Sequence, residues 1–223
     1  QYFGISKYGT GTLNVTTANT LVPTNNITVQ QDTLSVNGAA GTLAAGNTIG
    51  VFVNPGATLT IDNTAAAITN RLGARPISLA GGNLNLIGNA AVTNETFGTF
   101  TLARGQSNVS VTAGAGGGNL TFRSFATRKP QSWDAVRFSG ANLGAAAGAN
   151  TATIKGNVAF VGQTGATGAN TKGILPWALA ENTTAGTIGF ATADSATGVI
   201  RLLSAAEKLT TTTLTANVNQ ELS

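Results

Sequence analysis

The chain has 223 residues and only 9% of them are charged, against roughly 25% in an average domain, so its solubility must rest on neutral Thr, Asn and Ser. Twelve basic and eight acidic residues leave a scattered net charge of +4. The densest basic cluster is Arg123, Arg128 and Lys129, which is no basic stripe, and nucleic-acid binding is not expected. Cys and His are absent, which excludes disulfides, thiolate and imidazole metal sites, and Ser-His-Asp or Cys-His triads.

No apolar run approaches the roughly 20 residues of a membrane helix. The first residue is Gln and no signal peptide precedes it, so the chain reads as a mature or excised piece of a longer product. A Cys-free composition suits a secreted bacterial protein that folds without oxidation.

Taken in order, the chain opens with short strands over Gly4–Ser6, Gly11–Thr16 and Asn26–Val36, the last interrupted at Gln31 and Asp32. Residues 39–47 are rich in Ala and Gly and read as a loop. Thr48–Val53 and Ala57–Asp62 form two strands around Asn54, Pro55 and Gly56. Pro presets the first torsion of that turn and Gly supplies the second. Ile77-Ser-Leu-Ala-Gly-Gly-Asn-Leu-Asn-Leu-Ile-Gly-Asn89 repeats the theme: a Gly corner, then alternating Leu84 and Leu86 between small polar residues. Such alternation gives one buried and one outward face.

The first Leu of each phrase falls at 13, 34, 59 and 84, in steps of 21, 25 and 25. Phe100, Leu120, Phe138 and Val158 continue in steps of 20, 18 and 20. Periods of this size signal a solenoid, because no single unit buries its own apolar face. The alternative is a β-sandwich, which also has many short strands but gives no reason for the constant spacing. Helical pattern is nearly absent. Pro176–Glu181 reads as the start of a short helix with Pro first, and Ser204–Lys208 as one turn. The Gly/Ala stretches at 113–118 and 144–150 read as corner loops.

Two resemblances follow from these phrases. Ile5-Ser-Lys-Tyr-Gly-Thr-Gly-Thr-Leu-Asn-Val15, followed by Val29-Gln-Gln-Asp-Thr-Leu-Ser-Val36, resembles the bacterial autotransporter-associated β-strand repeat, which reads Lys-x-Gly-x-Gly-x-Leu-x-Leu, a spacer, a valine strand and Gly-x-Leu. Asp32 stands where the second Gly usually sits. Gly118–Phe122, Val136–Gly144, Gly173–Ala178, Gly189–Ala193 and Thr197–Val199 look like large surface proteins of planctomycetes and verrucomicrobia that carry the same repeats. The resemblance implies a right-handed parallel β-helix within a very large secreted or surface-attached structural protein. It brings no catalytic motif.

The expected fold is therefore an all-β, right-handed parallel β-helix of about nine to eleven rungs, one domain over 1–223 with a less regular region over 165–223. Thr210–Val218 would resume the helix. Neither end reads as a polar cap, so the edges should be met by more of the same protein, end to end or as a continuous polymer.

β-Helices also carry polysaccharide lyases and hydrolases, which need two carboxylates a few ångströms apart. None of the eight acids pairs closely in sequence. Asp32 and Asp62 can meet across rungs, but read as solvated corners. No catalytic residue, cofactor or metal is expected. Charge and an aromatic concentrate at Arg123–Phe138. One reading is a projecting loop that contacts a partner or glycan through Trp133, Arg128, Lys129 and Arg137, with Trp133 as a stacking platform. The favoured reading is a rung insertion in which Trp133 covers an apolar edge and Arg128 or Arg137 pairs with Asp134. Trp177 reads as a core or cap residue. The Thr-x-Thr pairs at 58–60, 99–101 and 151–153 invite an ice-binding reading but share no spacing. Asn14, Asn26, Asn94, Asn108, Asn119 and Asn182 match the glycosylation motif and read as corner residues. The leading function is a non-catalytic extracellular stalk, sheath or filament, with adhesion as a further role it could carry; a carbohydrate-active enzyme and a glycan- or partner-binding module are the alternatives.

Overall fold

In the computed structural model, residues 4–18, 26–43, 49–126, 133–156, 164–210, 218 and 220–221 are described. Consecutive strands alternate between two walls. One wall holds β1 (Ile5–Lys7), β3 (Ile27–Val29), β5 (Val51–Val53), β7 (Ile77–Leu79), β9 (Thr93–Leu102), β11 (Gly118–Phe125) and β13 (Ala152–Lys155). The other holds β2 (Thr12–Val15), β4 (Thr33–Val36), β6 (Thr58–Asp62), β8 (Asn83–Ile87), β10 (Gln106–Thr112), β12 (Ala135–Gly140) and β14 (Leu175–Asn182). Neighbours within each wall are parallel along this series. The fold is a parallel β-solenoid, not a sandwich. The first wall has seven strands, so the stack has fewer turns than the nine to eleven expected.

The Leu phrase sets the register. Leu13, Leu34, Leu59, Leu84, Val109, Phe138 and Ala180 stand one above another on successive strands. From Leu34 onward every member is fully buried, while Leu13 at the end of the row is exposed. The second spacing series is a mixture. Phe100 pairs with Phe125 and Leu120 with Glu95, both on the first wall, whereas Phe138 lies on the other. Val158 falls outside the described residues. The cause is a bend: Phe100–Leu102 of β9 pair with β7, while the amide of Gly98 donates to the Arg75 carbonyl and the carbonyl of Asn94 accepts from Asn70. One ten-residue strand thus wraps a corner. Inside that corner Phe97, Phe100, Phe122 and Phe125 form a cluster with centroids 4.6–6.0 Å apart for the contacting pairs. Trp177 joins it 5.9 Å from Phe125, the expected core role.

Corners need a left-handed residue to turn the chain. Gly11 has φ 85° and Asp32, which takes the place of a Gly, has φ 56°. Asn and Asp are the side-chain-bearing residues that tolerate this region best. The break at Gln31 and Asp32 is such a corner, as is Pro55-Gly56 (φ 74° at Gly56): each joins strands on different walls rather than a hairpin. Lys7 of the opening phrase is nearly buried, and its Nζ donates to the carbonyls of Gly9, Tyr8 and Gln31 at 2.6, 3.1 and 3.2 Å. It staples one corner to the next.

The parallel stack ends at β14. Asn182 Oδ1 accepts the amides of Thr184 and Ala185, Gly186 turns at φ 63°, and β15 (Thr187–Ala193) returns antiparallel to β14. β16 (Ile200–Leu202) is antiparallel again. The connection between them closes the other wall: Lys155 bridges Val199, and the Gly156 amide donates to the Gly198 carbonyl. β16 is the outermost strand of its sheet at this end among the described residues. Pro176–Glu181 is strand, not helix, because Ala178 and Ala180 fill inward positions beside Val136 and Phe138. Ala205–Glu207 forms the expected single turn. β17 (Leu209–Thr210) pairs in parallel with β18 (Gln220–Glu221); most of the segment expected to resume the helix lies outside the described residues. Among the described residues no helix is long and apolar enough to cross a membrane.

Candidate functional site

The outer face of the second wall is a hydrogen-bonded column. Arg137 Nε donates to Asn108 Oδ1 (3.2 Å), Asn108 Nδ2 to Asn83 Oδ1 (2.8 Å) and Asn83 Nδ2 to Thr58 Oγ1 (3.3 Å). Beside it, Ser110 Oγ donates to Asn85 Oδ1 at 2.7 Å. Parallel in-register strands place like residues at one spacing, so an amide can bond its counterpart on the next level. Neutral side chains thereby satisfy one another as well as water. Asn14, Asn94, Asn108 and Asn119 lie within strands, not at corners; Asn182 at the β14 turn has the corner role expected.

At the β12–β15 end this face turns apolar. Trp133 is 94% exposed just before β12, on the outward parity of Ala135 and Arg137. Arg137 pairs with Leu179 in register, Leu179 with Phe190, and Glu181 with Ile188. Ile188 and Phe190 are 55% and 58% exposed, and the half-buried Leu179 lies between Arg137 and Phe190. Arg137 Nη1 meets Glu181 at 3.4 Å. Trp133 therefore does not cover an apolar edge, and Arg137 pairs with Glu181 and Asn108 rather than Asp134. Asp134 is itself buried. Arg128 and Lys129 lie outside the described residues. The structure brings Trp133 and Arg137 onto one face and adds Ile188 and Phe190, which sequence reading missed. Their alternation in Thr187-Ile-Gly-Phe-Ala191 was the available signal.

The other candidate chemistries separate. Asp32 precedes Thr33, which pairs with Thr58, while Asp62 follows Thr58 by four residues, so the two residues stand five positions, roughly 16 Å, apart along the strand direction. Asp62 Oδ1 accepts the Thr64 amide, a corner role. Thr12, Thr33 and Thr58 stack in register, but the next levels are Asn83, Asn108 and Arg137. Thr99 and Thr101 lie in β9 on the other wall, so the Thr pairs form no single array for ice.

Three buried ionic groups were invisible in the sequence. Arg71 is fully buried; its guanidinium donates to Asn63 Oδ1 (2.8 Å) and to the carbonyls of Gly41, Gly38 and Ala66 (2.5, 2.8 and 2.9 Å). Arg75, also fully buried, donates to the Leu43 carbonyl through Nε and Nη2. The carboxylate of Glu95 accepts the amides of Arg71 and Leu72 at 2.8 and 3.1 Å. Burial pushes Glu95 up to about 8, against the weaker pull of those two amides and of the Arg71 charge. These groups hold the long β6–β7 connection against its neighbouring levels. At the reversal, Arg201 and Glu207 form a bidentate pair with both contacts at 2.6 Å, and the Arg201 hydrogen bonds hold Glu207 down at about 2.

Comparison with family models, with curated proteins and with solved structures finds no match for this chain. The resemblance to the autotransporter-associated repeat thus stands on the quoted phrases alone.

Proposed function

We propose that this chain is a non-catalytic structural module, a rigid spacer within an extracellular, surface-attached bacterial protein. The observation that carries this reading is the unbroken register from Leu13 to Ala180. Each level binds the next by backbone hydrogen bonds, a buried apolar row and outward amides, so stiffness is built into every step along the axis. The secreted setting follows the resemblance and the Cys-free composition. The experiment is cryo-electron microscopy of the protein as isolated from its source. Rods whose strands repeat at about 4.8 Å along the long axis support the spacer role. Isolated compact particles that extend no further than this solenoid overturn it.

A second reading, contact with a partner or surface glycan through the Trp133 face, is favoured by one observation: a fully projecting Trp on the same outward side as exposed Phe190 and Ile188. Aromatic rings of this kind are common anchors in recognition surfaces. Trp133→Ala that abolishes adhesion to the source cell's surface glycans, at unchanged melting temperature, supports it. Unchanged adhesion removes Trp133 from any such role.

A further inference from the structure

The first wall carries a second feature, on a different face from Trp133. Its outward positions over β9, β11 and β13 form two rows: Asn94, Asn119 and Thr153, and beside them Thr96, Thr121 and Lys155. The corner at 144–147 and the reversal at 194–201 overhang these rows and enclose a cleft of about 530 Å³. In the first row Asn119 Nδ2 donates to Asn94 Oδ1 at 2.9 Å. The row ends on Thr153, which lines the cleft at only 4% exposure, and its Oγ1 has no hydrogen-bond partner. A buried hydroxyl without a partner is uncommon and costs stability, so it marks a place where a partner is missing.

The charges around the cleft are committed, with one exception. Arg201 gives both terminal nitrogens to Glu207. Asp194 Oδ1 accepts the amides of Ala196 and Thr197, and its Oδ2 accepts Thr167 Oγ1. Glu95 turns its carboxylate to the Arg71 and Leu72 amides. Lys155 lines the cleft, and among the described residues no carboxylate lies in ion-pair contact with its Nζ. A free cation, an orphaned hydroxyl and an amide row therefore face one cleft with room for a sugar unit and its neighbours in a chain.

We propose that this cleft binds a carboxylate-bearing sugar, a uronate unit, with Lys155 facing the carboxylate and Thr153 and Asn119 facing ring hydroxyls. A carboxylate gains most from an ammonium that has no other anion to meet. Hydroxyls on opposite sides of a pyranose ring are spaced much like side chains on adjacent levels, about 4.8 Å apart. Among the described residues no aromatic side chain lines the cleft, so charge and hydrogen bonds, rather than ring stacking, would select the ligand.

The test titrates the full chain with sodium D-glucuronate and, separately, with D-glucose, following backbone amide shifts by NMR. The expected result is saturable binding of glucuronate in the millimolar range, with the largest shifts in β11, β13 and residues 144–147, and at least about tenfold weaker binding of glucose. Lys155→Gln should lose that preference and Lys155→Arg retain it. Thr153→Val, which removes the orphaned hydroxyl at nearly constant volume, should weaken glucuronate without lowering the melting temperature. Equal binding of both sugars, no saturable shift for either, full affinity in Lys155→Gln, or shifts centred on Trp133 each overturn the proposal. So does a high-resolution map in which soaked glucuronate is absent and a single water satisfies Thr153.

Discussion

Asp32 Oδ2 accepts the amide of Gly11 at 2.6 Å, across 21 residues of sequence and one step of the stack. The residue that departs from the Gly pattern thus returns a hydrogen bond to the corner of the neighbouring level, where Gly could not. Asp32→Asn should be close to neutral, because Asn tolerates the left-handed backbone and keeps an acceptor. Asp32→Gly relieves the backbone but loses the bond, for a loss under about 1 kcal/mol. Asp32→Ala loses both and should cost about 1–2 kcal/mol. Urea midpoints rank the three; an Ala variant as stable as wild type would show that this carboxylate contributes nothing.

Arg71 meets four acceptors from two separate segments, 38–41 and 63–66. Arg71→Met keeps most of the stem's packing but strands the buried carbonyl of Gly41. The expected destabilisation is about 3 kcal/mol or more. Hydrogen exchange should localise the damage to residues 37–43 and 63–72, and uniform loss of protection along the solenoid would contradict the staple role.

Breaking the Arg201–Glu207 pair on one side leaves a buried charge alone. Arg201→Met or Glu207→Gln should each cost about 3–5 kcal/mol. The double variant should recover part of this, and a double-mutant cycle measures the coupling. Strict additivity of the two losses would rule out a direct interaction.

Stability should peak in mildly acid solution. Glu207 is held at about 2 when folded and returns to about 4.3 when unfolded, so its contribution is present above about pH 4.3 and is lost as pH falls toward 2. Glu95 is pushed the other way, to about 8. The folded state then holds a proton that the unfolded state has released, and stability falls as pH rises from about 4.3 to about 8. Denaturation at about pH 2.5, 4.5 and 8 should trace this dome. Glu95→Gln should flatten its upper limb and Glu207→Gln its lower one. A flat profile above pH 5 in the wild type would count against the Glu95 argument.

The Leu phrase was legible because it lies on one wall, starts after a turning residue and alternates strictly. Its four members pair in the register their spacing implied. The later series was not, because β9 runs round the bend at Gly98 as one strand with β11 following it in register, and spacing alone does not reveal which wall a Phe occupies. Pro176 suggested a helix start; it stands exposed before the first residue paired with β12, where its missing amide breaks no bond to that strand. The outward placement of Trp133 was readable in principle, since Val136 and Phe138 point inward. What stayed hidden were contacts between residues far apart in sequence, such as Arg71 with Gly41 or Glu95 with the amides of Arg71 and Leu72. No local pattern encodes them.

The antiparallel return of β15 ends the run of parallel levels among the described residues. Duplicating one 25-residue phrase, the step from Leu59 to Leu84, would move the closing strands outward by a single level, about 4.8 Å, and leave the surfaces they carry unchanged. Under the spacer reading proposed above, the number of phrases would set how far the exposed face of Trp133, Ile188 and Phe190 is held, without altering the face itself.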